Sequence, residues 1–208
     1  NPVCLKCGSF FVNDSLYCGY CEQVFLKPAI KLKTRQTENS KHIYLIDWIP
    51  NESETISQMV YKLKADQGVY AWKYYANEFA KQYFEEIKFN TFAAIVPLPG
   101  SKKSSKHSNF FALSLSKQTN IPVWDCLTYA NSAEQQKLKS KKQRLSDKRH
   151  QVLKSDFVQF TNEEARLGPI LFVDDILTTG QTFISSRQAL KQEGSATILT
   201  LFYRQIQA

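Results

Sequence analysis

The chain has 208 residues, 43% hydrophobic and 22% charged, which is enough apolar content to build a core and too much for a disordered chain. No run approaches the roughly 18 unbroken apolar residues of a membrane span, and none reads as a signal peptide. The formal net charge is +8. It is concentrated: from Lys102 to Lys154 there are 12 Lys/Arg against 3 Asp/Glu, a net of +9, so the rest of the chain sums to −1. Charge so localised suits a polyanion such as nucleic acid or clustered phosphates, or else a solvated lysine-rich face.

Residues 1 to about 25 lack the periodic apolar pattern of a free-standing helix or strand. They hold four of the five cysteines, as Cys4-x-x-Cys7 and Cys18-x-x-Cys21 with ten residues between the pairs. Each Cys-x-x-Cys turn places two thiolates on one tight knuckle, and two knuckles supply the tetrahedral sulfur set that zinc prefers. A segment this small has too little hydrophobic area to fold alone, so metal binding would supply its stability. Two disulfides or an iron centre are the rival readings. Phosphate chemistry, argued below, belongs inside the cell, where disulfides are rare. Residues 1–35 are therefore read as a four-cysteine zinc module with its linker, and 36–208 as the main domain.

Lys27 to Ser40 is polar and basic and reads as a connection. Ile43-Tyr44-Leu45-Ile46 reads as a strand. Glu54 to Asp66 has apolar residues at helical spacing (56, 59, 60, 63), with Ser53 as N-cap and Gly68 as stop. Val69 to Ile87 reads as an aromatic-rich helix. Thr91 to Leu98 is a β-branched run ending at Pro97 and Pro99, Ser108 to Gln118 a helix, and Pro122 to Leu127 a strand holding Cys126 as a small core hydrophobe. Ala133 to His150 is basic, and either helical or mobile. Pro169 to Val173 is a buried strand, Thr182 to Glu193 a helix, and Thr197 to Tyr203 a last strand. Apolar strands alternating with helices predict an α/β fold, a mostly parallel sheet with helices on both faces.

The most informative stretch runs from Ile170 to Thr182, Ile-Leu-Phe-Val-Asp174-Asp175-Ile-Leu-Thr178-Thr179-Gly180-Gln181-Thr182. An apolar strand ends in two carboxylates, and a loop carrying hydroxyls and a glycine opens into a helix. Open α/β sheets bind ligands outside the carboxyl ends of their strands. Backbone N–H groups of the loop, the threonine hydroxyls and the helix N-terminus together can hold a phosphate dianion. The carboxylates suit the two hydroxyls of a ribose, or Mg²⁺. An ordinary capped helix after a strand is the plainer reading, and it does not call for the acid pair and Thr-Thr-Gly-x-Thr together.

This stretch resembles the phosphoribosyl-pyrophosphate (PRPP) signature of type I phosphoribosyltransferases. With the cysteine pairs in front, the sequence is similar to the ComF/ComFC-type competence proteins. Weaker matches are Leu63-Lys64…Gly68, Val96-Pro97-Leu98-Pro99, Ser108-Asn109-Phe110-Phe111, Gln135 or Gln136, and the Arg149…Val152…Phe157 run. The resemblance implies a type I phosphoribosyltransferase-like domain with PRPP and Mg²⁺ as ligands, Asp174 and Asp175 on the ribose, and Thr178, Thr179, Gly180, Gln181 and Thr182 on the 5′-phosphate. Lys102, Lys103 and Lys106 stand where the family carries arginine, and a lysine cannot make arginine's bidentate phosphate contact. Cys4, Cys7, Cys18 and Cys21 would hold structural Zn²⁺.

The resemblance also implies a cytoplasmic accessory role in natural transformation. Such a protein would meet single-stranded DNA and helicase-like or recombination-mediator competence proteins. Lys137, Lys139, Lys141, Lys142, Arg144, Lys148 and Arg149 are the candidate contacts to a phosphate backbone. The alternative is an active phosphoribosyltransferase acting on a nitrogenous acceptor.

Overall fold

The computed structural model describes residues 3–50, 52–64, 69–100, 106–129, 151–154, 168–192 and 194–205. A five-stranded sheet has the order β1 (Lys33–Thr37), β2 (Ser40–Trp48), β7 (Ala196–Arg204), β6 (Ile170–Leu177), β3 (Ala94–Pro97). Strand β1 is antiparallel to β2, and the other pairings are parallel. The parallel strands read as apolar runs because both faces are covered.

On one face, helices α3 (Glu54–Lys64), α4 (Val69–Gln82) and α6 (His107–Thr119) bury Met59, Trp72, Tyr75, Phe79 and Phe111 against Ile43, Leu171 and Leu199. Each such side chain removed from water stabilises the fold by about 1.5–3 kcal/mol. The other face buries Phe172 and Ile198 against Phe183 and Leu190 from α7 (Gln181–Ala189) and the turn after it, together with Cys126 and Leu127. A second, two-stranded antiparallel sheet joins β4 (Leu127–Tyr129) to β5 (Gln151–Leu153).

Ser53 caps α3 as expected, its Oγ accepting from Ile56 N at 3.3 Å, and Cys126 is buried. Four expectations are corrected. Lys33–Thr37 is an edge strand, although its polar, largely exposed residues give no hydrophobic signal. The helix expected over Val69 to Ile87 breaks at Tyr83 into α4 and α5 (Phe84–Ile87), α5 ending in a left-handed Lys88. Pro122 to Leu127 contributes one bridge, Val123 to Ile95, before β4 begins. Strand β6 continues through Asp174 and Asp175 to Leu177, so the acid pair lies within the strand and not after it.

The last point has a local cause. Ladder partners are in place at Tyr44, Thr200 and Asp174 and again at Ile46, Phe202 and Ile176, but are missing for Leu45, Leu201 and Asp175 between them. There the alternation of faces slips: consecutive Leu45 and Ile46, and consecutive Leu201 and Phe202, enter the same core cluster. A bulge-like break of this kind re-aims side chains, and it sits at the acid pair.

Candidate functional site: an acid pair beside a threonine–glycine turn

Asp174 and Asp175 are held by different elements. Asp174 Oδ1 accepts from Ser108 Oγ at 2.9 Å and from the Asp175 amide at 2.8 Å. Ser108 is the second residue of α6. Asp175 Oδ1 accepts from the Ile176 amide at 2.9 Å. Its Oδ2 is buried and accepts no hydrogen bond, but Lys64 Nζ, at the end of α3, lies 3.3 Å away as an ion pair. Burial, and then the neighbouring Asp175 charge, push the Asp174 carboxyl well above the usual carboxylate range. Two adjacent carboxyls in one enclosed place resist ionising together unless a cation or hydroxyl donors arrive.

The turn after β6 completes the site. Thr178 and Thr179 are exposed, Gly180 takes a left-handed conformation (φ +74°) as N-cap of α7, and Gln181 and Thr182 begin the helix. A pocket is lined by Asp174, the whole Thr178–Thr182 turn and Leu98. Leu98 stands at the end of β3, where its amide donates to Val173 O at 2.9 Å. Of the seven residues expected on the sugar and phosphate, six line one pocket; Asp175 is not among its lining residues and turns its buried Oδ2 to Lys64. The buried Oδ2 of Asp175, paired with Lys64 but accepting no hydrogen bond, leaves acceptor capacity that suits a hydroxyl or a hard cation such as Mg²⁺. Sequence reasoning missed Ser108 and Lys64 as partners of the acids. Both fall in stretches that weakly match the family, Leu63-Lys64…Gly68 and Ser108-Asn109-Phe110-Phe111, but only the packing of α6 and α3 shows that they meet the acids.

Lys106 is exposed and immediately precedes α6, two residues before Ser108. Lys102 and Lys103 lie outside the described residues, as do Gly68, Ala133 to His150 and all seven candidate DNA contacts, Lys137, Lys139, Lys141, Lys142, Arg144, Lys148 and Arg149.

The cysteines form a second site. The sulfurs of Cys4, Cys7, Cys18 and Cys21 all lie within 4.8 Å of one another. Burial raises the Cys4 thiol, but the backbone amides of Cys18, Cys7 and Lys6 outweigh it and bring the pKa down to about 6; burial pushes Cys21 up to about 12. Four sulfurs this close could all ionise only around a cation, and the set is compatible with a tetrahedral zinc. Tyr17, between the knuckles, is fully buried and its hydroxyl meets Met59 Sδ of α3 at 3.6 Å. The Tyr75 hydroxyl of α4 donates to Ser15 O at 3.0 Å. Buried Glu22 accepts from Ser15 (2.6 Å), Asn13 (2.9 Å) and Tyr74 (3.2 Å). The cysteine segment is therefore continuous with the main core.

No family model matches this chain, and no curated protein matches it. Among solved structures it is similar to the adenine phosphoribosyltransferase of Leishmania donovani (10% identity, TM-score 0.43, 83% of this chain and 86% of that one). It is similar also to the adenine phosphoribosyltransferase of Leishmania tarentolae (11% identity, TM-score 0.42, 83% and 94%). A third is a hypothetical protein from Neisseria gonorrhoeae with bound ppGpp (17% identity, TM-score 0.39, 64% and 69%). The α/β assignment stands on this chain's own topology, four parallel strands with one antiparallel edge strand and helices on both faces. Among the described residues no helix is long and apolar enough to cross a membrane.

Proposed function

We propose that the chain binds PRPP or a related phosphorylated ribose at the acid pair and the turn that follows it. The observation that carries this is a pocket lined by both Asp174 and the Thr178–Thr182 turn. The left-handed Gly180 opens a helix N-terminus whose free amides favour a phosphate dianion. Asp174, which lines that same pocket, and the adjacent Asp175 would accept the ribose hydroxyls. Magnesium, when bound with the ligand, supplies positive charge to a departing pyrophosphate.

For catalysis, a nitrogen nucleophile would form a bond to the anomeric carbon as the bond to pyrophosphate breaks. This chain's contribution is positioning and electrostatics. The acids fix the ring, the turn fixes the 5′ end, and Lys106, with Lys102 and Lys103 before it in sequence, approaches the leaving group. A thermal-shift titration tests the binding. PRPP with Mg²⁺ should raise the melting temperature, as any ligand specific for the folded state does, and should not do so in Asp174→Asn/Asp175→Asn. An unchanged melting temperature in the wild-type chain speaks against the reading.

A second reading, an accessory protein for DNA uptake that binds single-stranded DNA on this scaffold, is supported by the +9 concentrated between residues 102 and 154. It predicts affinity that falls with salt on a log–log slope near 0.7 per neutralised phosphate. Neutralising Lys141, Lys142 and Arg144 should flatten that slope. An unaltered slope removes this segment from DNA binding.

A further inference from the structure

We propose that Lys64 is the resident counter-cation of the acid pair, and that it exchanges Asp175 for a phosphate oxygen of the ligand when a divalent cation enters. The proposal rests on the phosphorylated-ribose reading and extends it by naming the cation that reaches the ligand from α3.

The position of Lys64 is fixed by packing. Ile56, Met59, Val60 and Leu63 of α3 are buried. The thioether of Met59 receives the hydroxyls of Tyr17 (3.6 Å) and Tyr75 (3.7 Å), which holds the middle of the helix. Lys64 is the last residue of that helix, where the carbonyl ends favour a cation. Its ammonium lies 3.3 Å from Asp175 Oδ2, with the lysine side chain 44% exposed and the aspartate side chain 13%. The pair is thus lopsided. The carboxylate is enclosed and its Oδ2 accepts no hydrogen bond, while the ammonium is half in water and not in hydrogen-bonding alignment.

An ammonium at that distance neutralises an enclosed acid that has no other cation within ion-pairing reach among the described residues. It also occupies the electrostatic place that a divalent cation bound to Asp175 would take. The two positive charges repel, so the cation and Lys64 compete. Lysine is a point charge on a flexible four-carbon stem, and one that is already half-exposed moves at little cost. Once displaced, it stays beside the acid pair and is available to an anionic ligand. This supplies, from a remote part of the sequence, a positive charge that the lysines after β3 were expected to provide alone.

The test uses the full chain with Lys64→Met, Lys64→Gln and Lys64→Arg. Mn²⁺ binding is followed by electron paramagnetic resonance, and inorganic pyrophosphate binding in the presence of Mg²⁺ by calorimetry. Lys64→Met and Lys64→Gln should bind Mn²⁺ alone about fivefold more tightly than the wild type and magnesium pyrophosphate about fivefold more weakly, as fits a half-exposed ion pair. Lys64→Arg should stay close to the wild type in both. A lysine that served only the fold would move both affinities the same way. Mn²⁺ bound no more tightly by the variants, or by none of the proteins, overturns the proposal, as does unchanged pyrophosphate affinity. Failure of the wild-type chain to bind PRPP would contradict the proposed function, while the Mn²⁺ comparison would still decide the role of Lys64.

Discussion

The hydroxyl of Ser108, in the first turn of α6, donates to Asp174 at 2.9 Å across 66 residues of sequence. This contact ties the helix that follows β3 to the acid pair of β6. It also sets how the pair is charged, because it lowers a carboxyl that burial and the Asp175 charge have pushed well up.

A raised carboxyl makes the folded state keep a proton that the unfolded chain has released. Its cost to stability therefore grows as pH rises from the ordinary aspartate range, near 3.8, towards the folded value. Asp174→Asn keeps the acceptor for Ser108 and removes that cost. At pH 7 its melting temperature should be about 2–4 °C above the wild type, corresponding to about 1 kcal/mol for a chain of this size. Scanning calorimetry at pH 7 checks it, and a variant no more stable than the wild type would contradict the burial argument.

Glu22 behaves in the opposite sense. Burial raises its carboxyl, but hydrogen bonds from Ser15, Asn13 and Tyr74 outweigh that and hold it below 4.5. Its contribution is present above that pH and is lost as pH falls through the lower folded value. Glu22→Ala leaves three donors without their acceptor and should cost about 2–3 kcal/mol at pH 7. Denaturant titrations at pH 7 and in acid should show the gap to the wild type closing in acid.

Removal of a metal from the four-cysteine cluster should act on the whole fold. Cys4, Tyr17, Cys21 and Leu26 belong to the same core cluster as Met59, Trp72 and Tyr75, so no separate small unit is there to melt alone. A chelator should lower the melting temperature of the entire chain in one transition, and Cys21→Ser should do the same. A small early transition, with the main one unmoved, would show the cysteine segment to be independent.

Gly180 is needed for its backbone. A Cβ there would meet only Leu177 Cδ1 at 3.9 Å, an ordinary contact, but φ is +74°. Gly180→Ala should therefore cost about 1–2 kcal/mol through strain and weaken phosphate binding more than it weakens Mn²⁺ binding. Equal weakening of both would point to general damage.

The parts of the fold with a strong physical signature were legible in the sequence. The β-branched and apolar residues of Ile43–Ile46 and Ile170–Val173 marked buried strands, and Ser53 with apolar residues at 56, 59, 60 and 63 marked α3 and its start. The Lys33–Thr37 strand was not legible. Four of its five residues are exposed, and edge pairing alone leaves no pattern in the side chains. The extension of β6 through the acids was hidden because two carboxylates look like the end of a strand. They stay within it through a break shared with Leu45 and Leu201 on neighbouring strands. The candidate site was legible where its residues are contiguous, Asp174 to Thr182 and the cysteine pairs. Ser108 and Lys64 stood in the sequence only as weak family matches, and their contacts to the acids, made from other helices, were not legible.

Calorimetric titration of PRPP into the full chain with Mg²⁺, beside Asp174→Asn/Asp175→Asn, tests the central claim most directly. The account predicts saturable binding by the wild-type chain and none by the double variant. Equal binding by both, or none by either, would contradict it.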